Sequence, residues 1–260
     1  MTRIVTALLL IPFIAWVTLG APLPVFLAVL AITGLLAYHE FDQIAAVQGI
    51  ARAGWPGMAA GLALLFSLEP LVAVVLIAML GLALAMRVNN LAAAMPAAGA
   101  FALGIVYIFG AWRCAAELRA MNHHWLLFAM VLSWAGDTLA FYVGRAFGKH
   151  KMAPRVSPAK TWEGAAGSVA GAMLVGGIYA HYLIPQVSLV EALALAVAGN
   201  VAGQVGDLCE SALKRGAGVK DSGTLLPGHG GWLDRLDSSF FSVPAVYALL
   251  LVFTRLSGNV

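Results

Sequence analysis

Charge is scarce in this chain. Only 10% of its 260 residues are Asp, Glu, Lys or Arg, against about 25% in soluble domains. A water-soluble globular fold is thereby excluded. Cysteine is nearly absent. Cys114 and Cys209 have no metal-ligand spacing, and they fall near opposite faces of the topology below, so neither a metal site nor a disulfide is expected of them. No internal repeat and no low-complexity linker is visible. Nucleic acid is excluded as a partner because the basic residues are confined to loops that flank apolar runs. What is abundant is apolar sequence: 62% of residues, with a mean hydropathy of +0.90.

The apolar residues come in nine runs, at about 4–20, 22–45, 57–69, 70–87, 91–112, 125–146, 163–184, 188–208 and 239–256. Runs of this length and composition predict an all-α, polytopic integral membrane protein with about nine transmembrane helices. The third run is short for a ~30 Å hydrocarbon core, and Pro70 suits the first turn of the fourth. The first run reads as a retained helix and not as a cleaved signal. With the N-terminus in the cytoplasm, 12 basic residues face that side: Arg3, Arg52, Arg87, Arg145, Lys149, Lys151, Arg155, Lys160, Lys214, Arg215, Lys220 and Arg235. Only 3, Arg113, Arg119 and Arg255, face the other. The positive-inside rule requires that bias, which places the chain in the cytoplasmic (inner) membrane with both polar segments, 145–162 and 209–238, on its inner face. Trp112 and Trp125, like Trp55, Trp162 and Trp232, read as an interfacial belt. Gly167 and Gly171 read as a close helix contact. His39, Glu40 and Asp42 read as an interfacial cluster. The chemistry divides the chain into an N-terminal scaffold, 1–120, and a C-terminal catalytic region, 121–260.

Five of the twelve acidic residues lie between Asp207 and Asp237: Asp207, Glu210, Asp221, Asp234 and Asp237. Lys214, Arg215, Lys220, Arg235 and His229 are interleaved with them. Carboxylates suit a hard cation such as Mg²⁺, and Lys and Arg neutralise phosphate oxygens. Gly228, Gly230 and Gly231 let the backbone around His229 approach a ligand. Asp234 and Asp237, three apart, would share a face on a helix. The combination suggests metal-assisted phosphoryl or nucleotidyl transfer. A solvated charged loop is the plainer reading, and His229 serves either as a turn residue or in the site.

A second polar element runs from Asp137 to Gly164. Asp137 interrupts an apolar run, and an ionisable group at such depth faces a bundle interior or a wet cavity. Arg145, Lys149, Ser157, Lys160, Thr161 and Glu163 follow it, with hydroxyls and backbone N–H groups suited to phosphate at the start of the seventh run. A cation-coupled carrier built on Asp137 stays open as an alternative.

The run Ser211-x-Leu-Lys-Arg-x₄-Lys-Asp-x-Gly-x₂-Leu-Pro-x-His-Gly-Gly-x₂-Asp-Arg-x-Asp237 resembles the signature of the phosphatidate cytidylyltransferase (CDP-diacylglycerol synthase) family. So does Asp137-Thr138…Gly144-Arg145…Gly148-Lys149…Ser157-Pro158-x-Lys160-Thr161-x-Glu163-Gly164 upstream. Trp232, Cys209 and Leu139 depart from that pattern; none replaces a charged or glycine position. The resemblance implies cytidylyl transfer from CTP to phosphatidate, Mg²⁺, room for a monovalent cation such as K⁺ beside it, and a homodimer. By motif position it implies Asp207, Asp234 and Asp237 as metal carboxylates and Asp221 as a further site carboxylate. Lys214, Arg215, Lys220 and Arg235 would be cations for the phosphates, with Ser211 beside them. An opening toward lipid is expected beside the sixth to eighth runs.

Overall fold

The computed structural model describes residues 2–225 and 230–256. His229, with Gly228, lies outside the described residues. All nine apolar runs are helical. In chain order they are α1 (Thr2–Leu19), α2 (Leu23–Val47), α3 (Gly54–Leu65), α4 (Pro70–Ala85), α5 (Ala94–Ile105), α6 (Ala111–Met121), α7 (His123–Phe147), α8 (Trp162–Leu183), α9 (Leu189–Gly216) and, after the one-turn α10 (Leu233–Leu236), α11 (Ser239–Leu256). The fifth run is split, because the five-residue π segment Val106–Gly110 joins α5 to α6. Pro70 does open α4.

Among the described residues, five helical stretches are long and apolar enough to cross a bilayer: Leu23–Val47, Leu91–Met121, His123–Phe147, Leu189–Gly216 and Leu233–Leu256. α3 and α4 have 12 and 16 residues, short of the ~20 that a straight crossing needs. α4 is apolar all round, with Leu71, Leu76, Met79 and Leu82 exposed. A helix with no polar face is a lipid-facing helix. The chain is a helical membrane protein.

One feature departs from an all-helical chain. β1 (Lys151–Ala153) and β2 (Ser157–Thr161) form an antiparallel hairpin in the loop after α7. The Thr161 hydroxyl then caps α8, accepting from Gly164 N at 3.1 Å.

By packing, the chain forms two compact units. The first comprises 1–8, 22–113 and 213–236; the second comprises 9–21, 114–212 and 237–260. In the second unit α7 and α8 pack closely. A Cβ at Gly167 would lie 2.7 Å from Val143 Cβ, and one at Gly171 would lie 2.5 Å from Leu139 Cδ1. The close contact expected of these glycines is therefore real, and Gly171 makes the space that Leu139 fills. Trp112 and Trp125 correct the belt reading. Both are buried; Trp125 packs edge-on against Phe128 with ring centroids 5.6 Å apart, whereas Trp55 and Trp162 are exposed. Cys114 and Cys209 form no disulfide.

Candidate active site

In the second unit, α7, the hairpin, α8 and α9 enclose a cleft of about 370 Å³. These are the sixth to eighth apolar runs and the loop between them. Asp137 and Arg145 line it from α7, Lys160 and Thr161 from β2, Ser168 from α8, and Gln204 and Asp207 from α9. Phe141, Met152 and several alanines complete the wall. A cleft with apolar walls and a few convergent polar groups is the usual form of a small-ligand site.

The centre of the cleft's chemistry is the Lys160 ammonium, which donates to Asp207 Oδ2. Both side chains stay about a third exposed, at 28% and 31%. Ser211, one turn further along α9, offers its hydroxyl to Asp207 Oδ1 at 3.4 Å. Behind them, Gln204 Nε2 donates to Asn200 Oδ1 at 2.8 Å, and Asn200 Nδ2 donates to Ser168 Oγ at 3.0 Å. Asp237 belongs to the same unit, and its Oδ1 accepts from Ser238 N at 2.6 Å. A Cβ at Gly206 would come within 2.7 Å of the Asp237 carbonyl, so a glycine beside Asp207 lets the Asp237 backbone approach. α10 ends at Leu236; Asp237 lies just past it, so Asp234 and Asp237 do not share a helix face.

Glu163 and Thr161 serve the local fold. Glu163 accepts from the backbone N–H groups of Lys149 and His150 at 3.2 Å and meets His150 Nδ1 at 2.6 Å. The carboxylate thus ties the end of α7 to the start of α8, and the Thr161 oxygen is taken up by its cap. Arg145 and Lys149 are exposed, and Ser157 opens β2.

In the first unit, Asp234 is almost enclosed. Its Oδ1 accepts from Lys214 Nζ. Its Oδ2 accepts from Ser222 N at 2.9 Å and Gly231 N at 2.8 Å. Gly230 takes the left-handed φ of +79° that this turn requires. Arg215 donates to the Val219 carbonyl at 3.0 Å, which closes the end of α9. Lys220, Asp221 and Arg235 are exposed.

Two groups escaped the sequence reading. Glu40, taken as interfacial, is buried at 1% exposure. It accepts from Ser222 Oγ at 2.7 Å, Leu233 N at 2.9 Å and Trp232 N at 3.0 Å. The companion Asp42 accepts from Ala53 N at 2.8 Å and Gly54 N at 3.1 Å, turning the chain from α2 into α3. The other is the polar row Asn200, Gln204, Asp207, Ser211 and Lys214, spaced by four, three, four and three along α9. That spacing is one helix face. It was legible as a polar stripe on a mostly apolar helix.

Among the described residues, no three His, Cys, Asp or Glu side chains converge as ligands of a metal. The donor chemistry nevertheless suits a hard cation. Asp207 and Asp234 both direct carboxylate oxygens at a lysine ammonium, the positive charge that a divalent ion would compete with.

A helical membrane protein with a lysine–carboxylate pair in a part-apolar cleft has the form of a small-ligand site. The sequence matches the model of the Cytidylyltransferase family over residues 1–253, and the chain belongs to that family. It is 41% identical over 162 residues to the phosphatidate cytidylyltransferase of Bacillus subtilis, covering 60% of this chain and 59% of that protein. It is 46% identical over 123 residues to the protein of that name from Haemophilus influenzae, covering 46% of this chain and 43% of that one. A third such protein, from Staphylococcus saprophyticus, is 40% identical over 149 residues, covering 57% and 55%. The chain thus matches about half the length of these curated relatives.

Proposed function

We propose that this protein transfers the cytidylyl group of CTP to phosphatidate, giving CDP-diacylglycerol and pyrophosphate. The observation that carries this reading is the Lys160–Asp207 pair, set in a cleft that joins apolar wall to a few polar groups, Asp137 and Arg145 among them. In that reaction an oxygen of the lipid phosphate bonds to the α-phosphorus of CTP. The bond from that phosphorus to the bridging oxygen breaks, and pyrophosphate leaves with the electron pair. A phosphate monoester is already anionic at neutral pH, so no strong base is required. The difficulty is charge: two anions must meet, and a third must leave.

Lys160, Arg145 and Lys149 would offset that charge from the hairpin side, and Lys214, Arg215, Lys220 and Arg235 from the 209–238 segment. Asp207, Asp234 and Asp237 would hold Mg²⁺, with Asp221 as a further site carboxylate and a monovalent cation such as K⁺ as a companion. Bound there, the divalent ion would supply Lewis-acid neutralisation of phosphate oxygens. Lys160 and Lys214, which donate to carboxylates, are the ammonium groups proposed to meet phosphate oxygens. Asp137, Ser157, Ser211, Thr161 and Glu163 complete the proposed binding set, the last two by holding the hairpin and α8 together. His229 is proposed for the site on motif position alone.

The same reading gives about nine crossings of the inner membrane, a cytoplasmic N-terminus, a site on the cytoplasmic face that opens to lipid beside α7–α9, and a homodimer. The 12-to-3 distribution of basic residues supports the orientation.

The test uses purified protein, phosphatidate, Mg²⁺ and CTP labelled at either the α- or the γ-phosphate. Label in the lipid product from the α-position alone is the expected result. Label from the γ-position would instead identify a lipid kinase. Solute flux with no labelled lipid would identify a carrier.

A further inference from the structure

Glu40 lies 182 residues before Ser222 and 193 before Leu233 in sequence, yet its carboxylate meets both. A carboxylate buried at 1% exposure is costly unless its lone pairs are filled. Here Oε2 receives the Ser222 hydroxyl and Leu233 N, and Oε1 receives Trp232 N. Those two N–H groups open α10, where a helix leaves its donors without internal partners. The Ser222 oxygen in turn accepts from Asp234 N at 3.3 Å. The loop is closed tightly around the carboxylate. A Cβ at Gly223 would stand 2.5 Å from Glu40 Oε1, and one at Gly231 would overlap both Oε2 and the Ser222 hydroxyl. Two glycines of the motif thus make room for one glutamate that lies outside it.

We propose that Glu40 is a positioning residue for the transfer reaction: from α2 it holds Ser222 and the start of α10, and through Ser222 it fixes the backbone of Asp234. What the loop does rests on the functional reading above; how the loop is held does not. The charge matters as well as the shape. A carboxylate only accepts, and all three partners donate. A glutamine of the same size would turn an NH₂ group toward one of them and leave buried donors facing each other.

The test compares Glu40→Gln with wild type in the full-length, lipid- or detergent-embedded protein, by hydrogen exchange and by kinetics. Exchange at Ser222 and across 230–234 should quicken by about tenfold or more, while α2, α3 and α5 keep their protection. The kcat for cytidylyl transfer should fall by about 10²-fold, as expected of a displaced reacting group, with the KM for CTP within about threefold. Ser222→Ala removes one of the three donors and should show a smaller change at the same positions. It also decides the matter should Glu40→Gln not fold. Unchanged exchange at these positions, or protection lost evenly throughout the α2–α5 helices, would overturn the proposal. If wild type transfers no cytidylyl group, the functional reading falls and the exchange result still decides the role of Glu40.

Discussion

Two lysine–aspartate pairs of similar chemistry sit in different surroundings, and that difference sets what each residue does when removed. Lys214 and Asp234 are 10% and 6% exposed. Breaking a buried pair by removing one partner costs about 3–5 kcal/mol, because the other charge is left without compensation. Lys160 and Asp207 are 28% and 31% exposed, and a pair in contact with water contributes about 0–1 kcal/mol. Asp234→Asn should therefore lose activity by about 10²-fold or more and also melt several degrees lower. Lys160→Ala should lose activity by on the order of 10²-fold with little change in Tm. Thermal unfolding and labelled-CTP turnover on both variants separate the two effects. The acids and lysines of these pairs were legible in sequence, because charged residues stand out in a chain this apolar. Glu40 was not, since a glutamate near the end of an apolar run reads as interfacial until its partners, 182 to 193 residues away, are known. The burial of Trp112 and Trp125 was missed for a related reason: composition marks an amphipathic ring but not the cavity it fills.

At the scale of elements, hydrophobic run length located the helices well, because backbone satisfaction in lipid leaves an apolar run few other structures. It failed where the chain leaves the apolar regime. The hairpin of β1 and β2 has three and five residues and no alternating pattern. Nor does the sequence show the interruption between α5 and α6. The glycines of α8 were read correctly as packing residues, and the structure ranks them. Val143 is β-branched and stiff where Gly167 meets it, whereas Gly171 faces the flexible end of Leu139. Gly167→Ala should destabilise by about 1–3 kcal/mol, and Gly171→Ala by less. Adding Leu139→Ala should offset part of the second loss and none of the first. Thermal unfolding of the two single and two double variants in one detergent checks the ranking.

For the whole molecule, packing and sequence order part company. Residues 213–236 group with 22–113, and 114–212 group with 237–260. Neither unit is one continuous stretch of chain, so truncation near residue 120 should yield no independently folding half. The proposed orientation has its own test. In a variant with Cys114 and Cys209 replaced by serine, Arg155→Cys in the hairpin should react with a membrane-impermeant maleimide in inverted vesicles and not in right-side-out ones. The opposite pattern would reverse the topology.

The polar row on α9 sets a limit on how this protein can vary. Asn200, Gln204, Asp207, Ser211 and Lys214 share one face only while every residue between them is kept. A single residue gained or lost inside that interval swings everything beyond it by about 100°, carrying Lys214 away from the side that Asp207 occupies. What has to be kept is the count of residues between those five.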